Sequence, residues 1–131
     1  MSNFVILHYA SCTAPLHYRI HPDGVSEILM AETAEGAHRN TIAIGLMSDC
    51  VNLVDDDPQL VTLRELLAGI HRRYPAIRLG GHRQIRGSNT DCPGAAFPLA
   101  RIQTWWRGTM LDAHDVWFED MLASAYLPKI E

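Results

Sequence analysis

The sequence predicts a single α/β (α+β) domain: a central mixed sheet of about five strands with helices packed on its faces. Three observations carry this expectation. Short apolar runs bounded by turn residues recur through the first half of the chain. Pro22-Asp23-Gly24 between alternating segments is a hairpin signal. Leu60, Leu63, Leu66, Leu67 and Ile70 recur at helical spacing. The 131 residues suffice for one domain with its own core, and neither repeat, low-complexity tract nor linker divides them.

Taken in order, Phe4 to Tyr9 reads as a buried strand that delivers His8 at its C-terminal end. Leu16 to His21 alternates, and Val25 to Met30 returns as its hairpin partner. Thr41 to Met47 is apolar on both faces, as a central strand requires. Asp55-Asp56-Asp57-Pro58 combines a carboxylate cap with Pro in the first turn, so a helix starts there; Arg72-Arg73-Tyr74-Pro75 ends it. Ala76 to Gly80 is a short strand leading into His82. Pro98 to Arg107 and Asp112 to Ala125 read as two further helices, the latter with Val116, Trp117, Met121 and Leu122 on one side.

Composition excludes several function classes. Apolar residues at 47% and charged residues at 20% are ordinary for a soluble globular protein. A net charge of −4 argues against a nucleic-acid surface, and no stretch reaches membrane-spanning length. Cys12, Cys50 and Cys92 are odd in number and follow no framework spacing, so reduced thiols are the simpler reading. The segment from Met1 to His8 has no basic n-region and too short an apolar run for a signal peptide, so the chain is expected to be cytoplasmic as synthesised.

The chemistry concentrates in Gly81-His82-Arg83-Gln84 and Thr90-Asp91-Cys92-Pro93-Gly94. An imidazole and a thiolate on one loop both suit zinc, and Pro93 and Gly94 stiffen the turn that presents the sulfur. His8, at the end of another strand of the same sheet, supplies a third donor. Three protein ligands leave a fourth tetrahedral position for water, the arrangement of catalytic rather than structural zinc. On spacing alone the plainer reading stands beside this one: a strand-end His is usually a satisfied polar residue, and a lone Cys a small core hydrophobe.

The same residues resemble the type 2 N-acetylmuramoyl-L-alanine amidases, a superfamily of phage amidase lysozymes, muropeptide amidases and peptidoglycan recognition proteins. Gly-His-Arg-Gln followed by Thr-Asp-Cys-Pro-Gly is similar to the second half of that zinc site. Ile6 to Ala10 resembles the strand ending in the first ligand, Leu16 to Ile20 with Asp23-Gly24 the hairpin, and Gly36-Ala37-His38 with Asn40 to Ile44 the segment that follows. The resemblance spans residues 4–102 and leaves 103–131 as a helical C-terminal extension.

The resemblance implies Zn2+ held by His8, His82 and Cys92, and hydrolysis of the amide between N-acetylmuramic acid and L-alanine of the stem peptide. A zinc-activated water would attack the carbonyl, and a nearby acid would protonate the leaving amine. It implies peptidoglycan or muropeptide as partner, with His38 and Asn40 as substrate contacts; a surface loop imidazole is the equal alternative for His38. The setting would be the cell wall after lysis or non-classical delivery.

The chain also departs from the family pattern. The long helix that usually separates the first ligand strand from the hairpin is missing, since only nine positions separate His8 from His17. The loop after His38 is compressed, with Arg39-Asn40 leading directly into the strand. Phage-type members carry Tyr at the position of Leu16, and muropeptide amidases carry Glu at that of Gly45. Thr90 stands where Lys is common and can orient water or an oxyanion without serving as a tuned base. His17 is the remaining candidate proton carrier, although alternation can equally turn it into the core. A non-catalytic muropeptide-binding module is the alternative, against which retention of Cys92 argues. Trp105, Trp106, Trp117 and Phe118 are expected to close the core rather than to form an interaction face.

Overall fold

A computed structural model describes residues 3–9, 12, 15–36, 40–47, 56–94 and 97–110. The five described strands are β1 (Phe4–Tyr9), β2 (Tyr18–Ile20), β3 (Ser26–Ile28), β4 (Thr41–Leu46) and β5 (Arg78–Gly81), and the helices are α1 (Pro58–Arg73) and α2 (Leu99–Met110). His82–Gln84 form a 3-10 turn directly after β5. The predicted helix over residues 112–125, with Trp117 and Phe118, lies outside the described residues, as do Cys50, Asp55 and His38.

The strands form one mixed sheet in the order β3-β2-β4-β1-β5. β1 runs parallel to β4 and β5, with His8 opposite Gly45 and Leu7 opposite Gly81. β2 is parallel to β4 and antiparallel to β3. Thus β1 and β4, the two strands buried along most or all of their length, lie at the centre, and their C-terminal ends converge on the segment after β5.

The hairpin closes at Gly24, whose φ of 91° is accessible to glycine at no steric cost. Its ladder is shorter than the alternating run because β3 is an exposed edge, although Leu29 N–H still donates to the His17 carbonyl (2.9 Å). The threonine hydroxyl of Thr62 donates to the Gly24 carbonyl and docks this hairpin on α1.

Of the acidic residues before α1, Asp57 caps it: its carboxylate accepts from Gln59 N–H at 2.9 Å, with Pro58 in the first turn. Leu60, Leu63, Leu67 and Ile70 are all fully buried against Val5, Leu7, Ile42, Ile44 and Leu46. Leu99, Ile102 and Trp106 of α2 extend the same core, with Trp105 half-buried against it. Trp106 therefore closes the core as expected. On the opposite face of β1, Ile6 packs with Ile85 and Phe4, and alternation puts His8 on that face.

Candidate metal centre

His8 ends β1, and burial excludes water from its imidazole entirely. His82 opens the 3-10 turn, and its ring lies 4.9 Å from that of His8, tilted by 59°. Cys92 is likewise fully buried. Its Sγ lies 3.7 Å from His8 Nδ1 and accepts the Tyr9 backbone N–H at 3.3 Å. The structure thus brings together the three predicted ligands, from residues 84 positions apart in the chain.

The loop motif accounts for this convergence residue by residue. Arg83 N–H donates to the Cys92 carbonyl (2.8 Å), and its guanidinium donates to the Gly94 carbonyl (2.9 Å). Gln84 accepts from Gly81 N–H (2.9 Å) and from Gln103 of α2 (3.0 Å), fixing the turn to both the strand and the helix. The Tyr9 hydroxyl donates to Asp91 at 3.2 Å. A Cβ at Gly81 would lie 2.7 Å from Leu99 Cδ2 and 2.9 Å from Pro93 Cδ, so any side chain at this strand end would displace α2 or the Cys92-Pro93 loop. The Cys92-Pro93 peptide is cis.

One residue joins the site that sequence reasoning did not place there. Cys12 Sγ lies 3.3 Å from His8 Nδ1 and 3.5 Å from His82 Nδ1. The donor atoms of His8, Cys12, His82 and Cys92 all lie within 4.8 Å of one another. The spacing His8-x-x-x-Cys12 was the available signal. A strand followed by a turn gives no periodicity from which to place position 12.

This donor set fits zinc. Two imidazoles and a buried thiol are among zinc's ordinary ligands, and tetrahedral Zn–S and Zn–N bonds of about 2.3 and 2.05 Å imply an S···N edge of roughly 3.6 Å. The Cys92–His8 separation of 3.7 Å matches that edge. Burial pushes the Cys92 thiol up to about 12, with the Tyr9 N–H pulling it down and Cys12 adding to the rise. Without a cation the sulfur is therefore a neutral thiol; a metal would have to displace its proton.

The remaining predicted residues are placed differently. Thr90 is half-buried beside the centre, and its Oγ1 accepts Cys92 N–H at 3.1 Å, which leaves its own hydroxyl proton free to donate. His17 is buried with both ring nitrogens in use: Ala43 N–H donates to Nδ1 (2.9 Å), so Nε2 carries the proton and donates to the Ala34 carbonyl (2.7 Å). This imidazole joins β2 to the segment before β4 and has no nitrogen left to carry a substrate proton. Asn40 precedes β4 at a φ of 58° and accepts Asn3 N–H at 2.7 Å. It lies at the opposite end of β4 from Gly45, about 16 Å along the strand, and is not brought to the metal cluster.

Leu16 and Gly45, the two positions expected to lack a helper, meet each other. A Cβ on Gly45 would approach Leu16 Cδ1 to 2.5 Å, so an apolar side chain covers Gly45, the residue paired with His8 across the sheet.

No family model matches the chain, and none of the curated proteins matches it. Solved structures do. The N-acetylmuramoyl-L-alanine amidase LysC from Clostridium intestinale URNW superposes with a TM-score of 0.67 at 19% identity, covering 79% of this chain and 83% of that one. A Drosophila PGRP-LB variant in complex with tracheal cytotoxin gives 0.65 at 23% identity, covering 79% and 81%. Drosophila peptidoglycan recognition protein SA gives 0.66 at 17% identity, covering 79% of each chain. With its five-stranded mixed sheet and two helices, the chain has the fold of the N-acetylmuramoyl-L-alanine amidases and peptidoglycan recognition proteins, in a shortened form.

Proposed function

We propose that the protein is a zinc-dependent N-acetylmuramoyl-L-alanine amidase, acting on the bond between N-acetylmuramic acid and the L-alanine of the stem peptide. The observation that carries this reading is the convergence of His8, His82 and Cys92 at one end of the central strands, at zinc-like separation, in a fold shared with amidases. The neighbour solved with tracheal cytotoxin supports a peptidoglycan-derived ligand for this fold. Zinc in this position supplies Lewis acidity and a water of lowered pKa.

The chain's own residues do the rest. Tyr9 N–H and Arg83 hold the Cys92 loop, so that its sulfur and both imidazoles stand preorganised. The Thr90 hydroxyl, oriented by Cys92 N–H, hydrogen-bonds the oxyanion that develops on the scissile carbonyl, and the proton that the leaving amine takes comes from the attacking water. With Leu16 covering Gly45, no side chain serves as a tuned base from either position, which makes the reaction slow: the missing gain for such a group is about 10²–10⁴ in rate.

The same apolar cover favours a second reading, a muropeptide-binding module that does not cut. Incubation of the zinc-loaded protein with muropeptides, followed by mass spectrometry, separates the two. Stem peptide with a free L-alanine amino group, absent in Cys92→Ala, supports the amidase. Retention of intact muropeptide on the protein supports the binder.

A further inference from the structure

We propose that Cys12 is a fourth protein ligand of the metal, closing the resting centre as a His2Cys2 set. An S···N edge of roughly 3.6 Å is what zinc bonds of ordinary length enforce. Cys12 Sγ makes two contacts near that length, 3.3 Å to His8 Nδ1 and 3.5 Å to His82 Nδ1, whereas Cys92 Sγ stands 3.7 Å from His8 Nδ1. A distance criterion that admits Cys92 therefore admits Cys12.

The backbone fixes this placement. Cys12 N–H donates to the Tyr9 carbonyl at 3.0 Å, which ties Cys12 to the last residue of β1, the neighbour of His8. His8 and Cys12 then face the metal from one side, and His82 and Cys92 from the 3-10 turn and its following loop. Each half contributes one imidazole and one sulfur.

Two thiolates cancel the charge of a divalent cation, where a single thiolate and a water leave one positive charge. A His2Cys2 set is also a typical closed structural centre. The consequence rests on the amidase reading above: hydrolysis requires Cys12 to leave the metal, so the thiolate holds the position that substrate or water must take. Cys12 is half-buried whereas Cys92 is fully buried, which makes Cys12 the ligand that solvent and substrate reach first.

X-ray absorption of the zinc-loaded full chain counts the ligands directly. The expected first shell has two sulfurs at about 2.3 Å and two nitrogens at about 2.0 Å. Cys12→Ser is expected to retain one sulfur. One sulfur in the unmodified chain, or two still present in Cys12→Ser, overturns the inference. Thiol alkylation mapped by mass spectrometry tests it without a variant: zinc is expected to protect Cys12, and equal labelling with and without zinc overturns it. Muropeptide cleavage is measured on the same samples. A two-sulfur centre without hydrolysis in either form leaves Cys12 ligation standing and removes the amidase reading; a one-sulfur centre that cleaves does the reverse.

Discussion

Replacing Gly81 by alanine tests whether the histidine turn and the cysteine loop are packed as one unit. The added methyl would stand 2.7 Å from Leu99 Cδ2 and 2.9 Å from Pro93 Cδ. Both distances are inside van der Waals contact, and both partners are buried, so the methyl cannot be accommodated without moving α2 or the loop. Overpacking of this kind costs about 1–3 kcal/mol. With an unfolding entropy of about 2.1 cal/mol/K per residue over 131 residues, a loss of about 2 kcal/mol lowers Tm by about 7 °C. Because Pro93 follows Cys92 directly, the same displacement also moves the sulfur, and zinc affinity falls together with Tm. Gly69→Ala is the control: its Cβ meets only Arg73 and Arg72 side chains at 3.5 and 3.7 Å. In a helix interior that substitution is expected to be stabilising by about 0.5–1 kcal/mol. Thermal melts and zinc titrations of the two variants read both quantities. A Gly81→Ala protein with unchanged Tm and unchanged zinc affinity would refute the shared packing.

Leu16→Tyr puts a hydroxyl over Gly45, beside His8, and should raise the rate of amide cleavage by about 10²–10⁴, the general acid-base range; an unchanged rate in a folded, zinc-loaded variant would show that this position does not reach the reacting bond. Arg73 donates to both carboxylate oxygens of Glu32 and holds its carboxyl below the usual range, with the Tyr18 hydroxyl assisting at 2.5 Å. A depressed carboxyl stabilises the fold above its unfolded pKa near 4.5, and this contribution is lost as pH falls through the lower folded value. The stability gap between the unmodified protein and Glu32→Gln, followed by urea unfolding, should therefore narrow from pH 6 towards pH 3. A gap that does not change with pH would contradict that role.

Much of the sheet and the three candidate ligands could be read from the chain because they rest on local signals. Phe4 to Leu7 is a continuous apolar run followed by His8 and Tyr9, and the strand spans those six residues. Thr41 to Leu46 is apolar at both parities, which only a central strand can bury. Asp57-Pro58 marks a helix start by capping chemistry that acts within two residues. The missing information is non-local. Cys12 reaches His82 across 70 positions, and nothing near either residue encodes that contact. His17 alternates as a strand residue should, but its consumption by Ala43 and Ala34 depends on how β2 pairs with β4. The resemblance of a short segment implies a substrate contact at Asn40 and says nothing of its distance from the metal cluster, which the parallel register of β1 and β4 sets.

The central claim is a metal centre built by His8, His82 and Cys92, and zinc binding measured by competition with a chromophoric chelator tests it most directly. One zinc per chain is expected at neutral pH, with affinity lost in His8→Ala, His82→Ala and Cys92→Ala while far-UV circular dichroism shows each variant folded. Failure of the full chain to bind zinc, or affinity indifferent to all three substitutions, would contradict it.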